Sequence, residues 1–140
     1  MDVLKTVTDW LKTFPLWQGE LQVDSLKPVP GSIGLYPQGV QEISRREDVT
    51  GNVEVSNRLE LLLCRVTGGE DDRQDCARWL LALQQWINQQ SAEGLAPRLG
   101  DVPERSFFQA QQGKLCGPAQ TGTGRYAVKI SAYYVTTIHN

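Results

Sequence analysis

The hydrophobic positions fall into two periods along the chain. Val3, Val7, Trp10, Leu11 and Phe14 recur at spacings of three and four, which predicts a helix of about three turns, with Asp2 as N-cap and Pro15 at its end. Leu21 and Val23 alternate with Gln22 and Asp24 and predict a short strand. The following "KPVPGSIGLYPQG" holds Pro28, Pro30 and Pro37 and reads as a loop or an irregular edge, because a proline has no N–H to give to a central ladder. From Val53 a long strand begins. Its odd positions, Val53, Val55, Leu59, Leu61 and Leu63, are apolar, while its even ones run polar through Glu54, Ser56, Arg58 and Glu60 and then turn apolar at Leu62, Cys64 and Val66. Such a gradient predicts a strand whose second half is buried on both faces and whose first half protrudes or pairs with something else.

Helical spacing returns after "GGEDDRQD". Cys76, Trp79, Leu80, Leu83, Trp86, Ile87 and Gln90 form one stripe, the acids at the start suit the positive end of the helix dipole, and Gly94 is the expected residue just past the C-terminus. Trp79 and Trp86 are read as core. The last third turns to period two, with Phe107 and Phe108 in one run. Another follows "TGTG", where Tyr126, Val128, Ile130, Ala132 and Tyr134 face one way and Arg125, Lys129 and Ser131 the other. The sum is a single α+β domain over residues 1–140: a two-layer structure with a mainly antiparallel, mixed sheet, about two helices on one face, and a protruding long hairpin or arm over about residues 27–58.

Composition narrows the function. The chain has 140 residues, 21% charged and 40% hydrophobic, with a net charge of −2. It offers no basic field for a polyanion, so no specific nucleic-acid contact is expected. Apolar runs such as residues 61–64 are far below the ~20 residues that span a bilayer, so no membrane association is expected. The N-terminus lacks a basic region and a cleavage site and is read as part of the fold, not as a signal peptide. Cys64, Cys76 and Cys116 are odd in number and widely spaced, which suits reduced thiols rather than a disulfide frame.

Chemistry finds little to work with. The only histidine is His139, next to the last residue, so a His-dependent triad or an acyl-transfer site is not expected, and no catalytic residue is assigned. One His and three dispersed Cys do not make a zinc set. Glu70, Asp71, Asp72 and Asp75 lack the alternating spacing of a calcium loop, and no metal or cofactor is expected. "GPAQTGTGRY" has the glycines of a phosphate loop but precedes a strand rather than a helix, and is read as a turn. "SRREDV" is then the distinctive cluster. Two arginines beside two acids are either a solvated turn or a self-complementary set that meets a neighbouring copy, and Arg45, Arg46, Glu47, Asp48, Glu54 and Arg58 are the candidate subunit-interface residues.

The segments "LQVDSLKPVPGSIGLYPQGVQEISRREDVTGNVEVSNRLELLLCRV", "ARWLLALQQWINQQSAEGLAP" and "QTGTGRYAVKISAYYV" resemble a family of small proteins from prophages of Gram-positive gut bacteria, described as phage minor capsid or tail-terminator-like components. "EISRREDVTGNV" and "TGTGRYAV" are the most specific parts. The resemblance implies a structural virion protein that forms a hexameric ring capping the tail tube at the head–tail junction of a long-tailed phage. Its implied partners are further copies of itself, the tail tube protein and the head–tail connector protein, in the host cytoplasm during assembly and at the head-proximal end of the tail in the virion. The alternatives are a neck or connector protein joining head to tail, a generic binding module, and a small-molecule-modifying enzyme, against which the missing nucleophile and base argue.

Overall fold

A computed structural model describes residues 2–26, 31–68, 70–112 and 124–138. Pro28, Pro30, Cys116, His139 and most of the "GPAQTGTGRY" turn lie outside the described residues, as do the side chains of Glu70, Asp71 and Asp72. The elements run α1 (Val3–Leu11), β1 (Glu20–Val23), β2 (Ser32–Glu47), β3 (Val53–Thr67), α2 (Glu70–Ala92), a short 3-10 turn at Pro103–Arg105, β4 (Phe107–Gln112) and β5 (Gly124–Ile138). The strands form one five-stranded sheet in the order β1-β2-β3-β5-β4, in which only β1 and β2 are parallel. This is the expected α+β fold with a mixed, mainly antiparallel sheet.

Each helix follows from its sequence. The Asp2 carboxylate accepts a hydrogen bond from the Lys5 amide at 3.1 Å and caps α1, which buries Val7, Trp10 and Leu11. The helix ends at Leu11, and the chain continues through tight turns that still bury Phe14. The α2 helix has 23 residues and is about 35 Å long. It closes as expected: Gly94 takes φ +73°, its N–H donates to Ser91 O, and the Leu95 N–H donates to Gln90 O at 2.8 Å.

The core lies between one face of the sheet and these two helices. Cross-strand register puts Leu35, Leu63 and Val128 in one row and Leu61, Ile130 and Ala110 in the next, all buried with Leu83 and Ile87 of α2 and Leu11 of α1. Each fully buried aliphatic side chain contributes about 1.5–3 kcal/mol relative to exposure. Aromatic rings tie the layer together. Trp10 stacks on Trp86 at 5.3 Å and meets Phe108 at 4.6 Å, and the edge of Phe14 meets Trp79. Trp79 also donates its indole N–H to Leu16 O at 2.6 Å, so both α2 tryptophans are packing residues, as expected.

Two open expectations are resolved. Of the loop or irregular edge expected before Val53, the described part is strand: Ser32–Glu47 runs for 16 residues, its first four buried between β1 and β3 and its continuation from Pro37 an irregular, bulged edge. Pro37 is accommodated because β1 pairs only as far as Leu35, which leaves Pro37 on a free edge where its missing N–H costs nothing. The first half of β3, expected to protrude or to pair with something else, pairs. It is hydrogen-bonded to β2 on one side and β5 on the other, with register continuous from Val53 opposite Ile138, and Val53 and Val55 are buried. The exposed part of the hairpin is its other strand: every residue from 37 to 47 is exposed.

Candidate interaction surface

The sheet has two ends of different character. Its inner end is where β1 and both helices pack. Its outer end consists of β2, β3 and β5 carried past the helices, joined by a turn at residues 48–52. Asp48 builds that turn: its Oδ1 accepts from the Thr50 amide at 2.9 Å, the Thr50 hydroxyl at 2.6 Å and the Asn52 amide at 3.1 Å. Its backbone N–H also donates to Asn52 O. Val49 projects fully exposed from the tip.

The six candidate interface residues therefore separate by role. Asp48 shapes the hairpin tip. Glu54 pairs with Arg105 of the 3-10 turn, which fastens β3 to the segment that precedes β4. Arg58 donates to Gln41 on β2, and its Nε lies 3.3 Å from Glu60, which Lys129 of β5 also reaches at 3.2 Å. These charges bind three strands together across the face away from the helices. Arg45 donates to Glu42 at 2.9 Å along the exposed strand. Among the described residues, Arg46 and Glu47 form no side-chain ion pair or hydrogen bond. The cluster read from "SRREDV" is thus partly turn chemistry, with Arg45, Arg46 and Glu47 on the surface of β2.

Sequence patterning did not reveal how the two sheet edges differ. At β4 the outward backbone groups are taken by α2: the Ala110 N–H donates to Asn88 Oδ1 at 2.8 Å, the Asn88 side-chain amide donates to Ala110 O at 3.2 Å, and the Phe108 N–H donates to Ser91 Oγ at 2.8 Å. Where β5 continues beyond β4, Gly100 lies directly against it. A Cβ there would fall 2.3 Å from Val135 O, so only glycine, here at φ +79°, allows the approach. The Asp101 N–H then donates to Val135 O at 2.8 Å, and Asp101 Oδ2 accepts from the Thr137 N–H at 2.9 Å. Among the described residues, no comparable cover lies on residues 37–47 of β2. Two bulges, at Gln38 and Ile43, interrupt its pairing with β3. Val40 and Ile43 are exposed there, and a groove of about 480 Å³ beside Ile43 is lined by Ser44, Ser56, Phe107, Tyr133 and neighbours. Phe107 and Tyr133 stack at 4.5 Å on its floor.

The other depression, about 750 Å³, opens between the end of β3 and α2 and is lined by Arg65, Cys76, Arg78, Trp79 and Leu16 among others. The Arg65 guanidinium sits 4.5 Å from the centre of the Trp79 ring. Burial pushes the Cys76 thiol up to about 11, with Arg65 pulling weakly the other way. The thiol is protonated at neutral pH and packs as a small apolar group rather than as a nucleophile. Among the described residues no three of His, Cys, Asp and Glu come together as a metal-ligand set, and no helix is long and apolar enough to cross a membrane.

Comparison with protein-family models and with curated proteins finds no match for this chain.

Proposed function

We propose that the chain is a structural assembly subunit, tail-terminator-like, that joins further copies of itself in a hexameric ring capping the tail tube at the head–tail junction of a long-tailed phage. The observation that carries the reading is the outer half of the sheet. Three strands run on together, tied by the Arg58, Glu60 and Lys129 network and the Glu54 to Arg105 pair, and one edge is left uncovered by the described residues. A ring subunit needs contacts between different patches of neighbouring copies, and a rigid projecting strand pair supplies one such patch. The tail tube protein and the head–tail connector protein are the further partners in this reading. Its work is assembly in the host cytoplasm and residence at the head-proximal end of the tail.

The test is a deletion of the gene in its phage, complemented in trans. Loss should give tail tubes of uncontrolled length, restored to one length by the intact chain but not by a chain in which residues 39–50 are replaced by a short turn. Normal-length tails beside unattached heads would instead assign a neck or connector role. Intact infectious particles without the protein would remove both.

A further inference from the structure

We infer that, away from the virion, the chain forms a two-fold dimer by pairing the free edge of β2 with the same edge of a second copy, centred between Ile43 and Ser44. The inference rests on the assembly reading only in taking a second copy as the occupant. Among the described residues, 37–47 is the longest stretch of strand edge with no covering strand, helix or loop, and a free edge is a template for another strand. Natural edges are guarded by proline, bulges and like charges, and here those guards are distributed in a telling way. Pro37 and the Gln38 bulge protect the base of the strand, next to β1. Farther out, the charges do not repel a reversed copy.

Glu42 and Arg45 are three residues apart and would lie on opposite faces of a regular strand. The Ile43 bulge adds one residue between the pairings of Glu42 with Asn57 and Ser44 with Ser56, so Glu42 and Arg45 share a face and touch at 2.9 Å. Glu-Ile-Ser-Arg thus runs from acid to base along one face. An antiparallel copy centred on its middle sets each Glu42 opposite Arg45 of the second copy, and on the other face sets Gln41 opposite Arg46 of the second copy. The two pairs made within separate chains become a ring of four alternating charges. Val40 and Ile43, both more than half exposed in the single chain, gain neighbours in the same contact.

Pairing of like edges is isologous and closes at two copies, whereas a ring needs two different patches. The dimer therefore withholds the edge until a tail partner displaces it. A contact of one strand's length is small beside the ~800 Å² per partner of a standard interface, so the dimer is expected at a dissociation constant on the order of micromolar or weaker.

Charge-swapped variants test this by sedimentation equilibrium from micromolar to several hundred micromolar. Glu42→Arg alone sets bases against bases across the two-fold, and Arg45→Glu alone sets acids against acids; each should weaken the dimer by roughly a hundredfold. Both variants also lose the pair within the chain, so only a contact between chains can restore association when they are mixed. The expected result is a concentration-dependent wild-type dimer, two monomeric variants and an equimolar mixture that dimerises as the wild type does. Circular dichroism melts of each variant should match the wild type, because both positions are exposed. A wild-type chain that stays monomeric, a dimer indifferent to both changes, or a mixture that stays monomeric would overturn the inference. Tail length in the complemented phage reads out the assembly role separately.

Discussion

The β4 edge and the β2 edge end the same sheet, yet the chain treats them in opposite ways. At β4, Asn88 and Ser91 reach down from α2 and take the outward N–H of Phe108 and the outward N–H and C=O of Ala110, which disfavours the addition of another strand there. At β2 none of the described residues covers the edge past Tyr36, and residues 37–47 are exposed along their whole length. An uncovered edge is an aggregation risk that a folding sequence can remove with two side chains, as this one does at β4. It is left open at β2, while β3 behind it is tied to β2 by the Arg58 to Gln41 hydrogen bond and to β5 and the 3-10 turn by ion pairs, so one half of the sheet is closed by packing and, on the proposed function, the other is kept for contact.

Substitutions in the two halves should sharpen this contrast. Leu61→Ala or Ile130→Ala, both fully buried under α2, should cost about 2–5 kcal/mol in denaturant unfolding, whereas Val40→Ala should stay within about 0.5 kcal/mol. A large cost at Val40 in the dilute chain would show that the outer half is itself core. Asn88→Ala leaves the Ala110 N–H and C=O without partners and should cost about 1–3 kcal/mol. It should also raise light scattering on storage, because the β4 edge is then as free as that of β2.

Asp48→Ala removes three hydrogen bonds at the hairpin tip and should cost about 1 kcal/mol, seen as faster amide exchange in residues 48–52 more than as a lower Tm. Glu54→Gln, which weakens a partly exposed pair, should cost under about 1 kcal/mol and be masked by 0.5 M salt. Cys76 adds a pH dependence on the stable side. Its thiol is raised from 9.0 to about 11, so its contribution to stability is full below pH 9 and falls as the pH rises through 11. Cys76→Ala should flatten that slope, and no outer-half substitution should change it.

How far the sequence discloses this division depends on where period two survives. It survives in β3 and β5, where Leu59, Leu61 and Leu63 lie in register with Ala132, Ile130 and Val128, and both strands are plain in the pattern. In β2 the bulges at Gln38 and Ile43 each shift the alternation by one residue, and Pro37 with three nearby glycines imitates a loop. The strand was hidden by the irregularities that shape its edge. The polar first half of β3 suggested an arm, and its even side chains do lie on the sheet face away from the helices. What sequence could not supply was the partner strand on each side of Val53 and Val55, which pair with β2 and β5 and are buried. Of the charges in "SRREDV", Asp48 builds the turn, a role that composition alone does not separate from meeting a partner. The cap on β4 left only a faint signal, Asn88 and Ser91 three apart beside the buried stripe of α2.

Amide hydrogen exchange, followed in the dilute chain and in the tails that the proposed function assigns to it, tests the division of labour between the two edges most directly. The outward amides of Phe108 and Ala110 should be protected in both states, while the outward amides of residues 39–47 should exchange freely in the dilute chain and become protected on assembly. Exchange in residues 39–47 that is as fast in the assembled tail as in the free chain would contradict the claim that this edge is the contact surface.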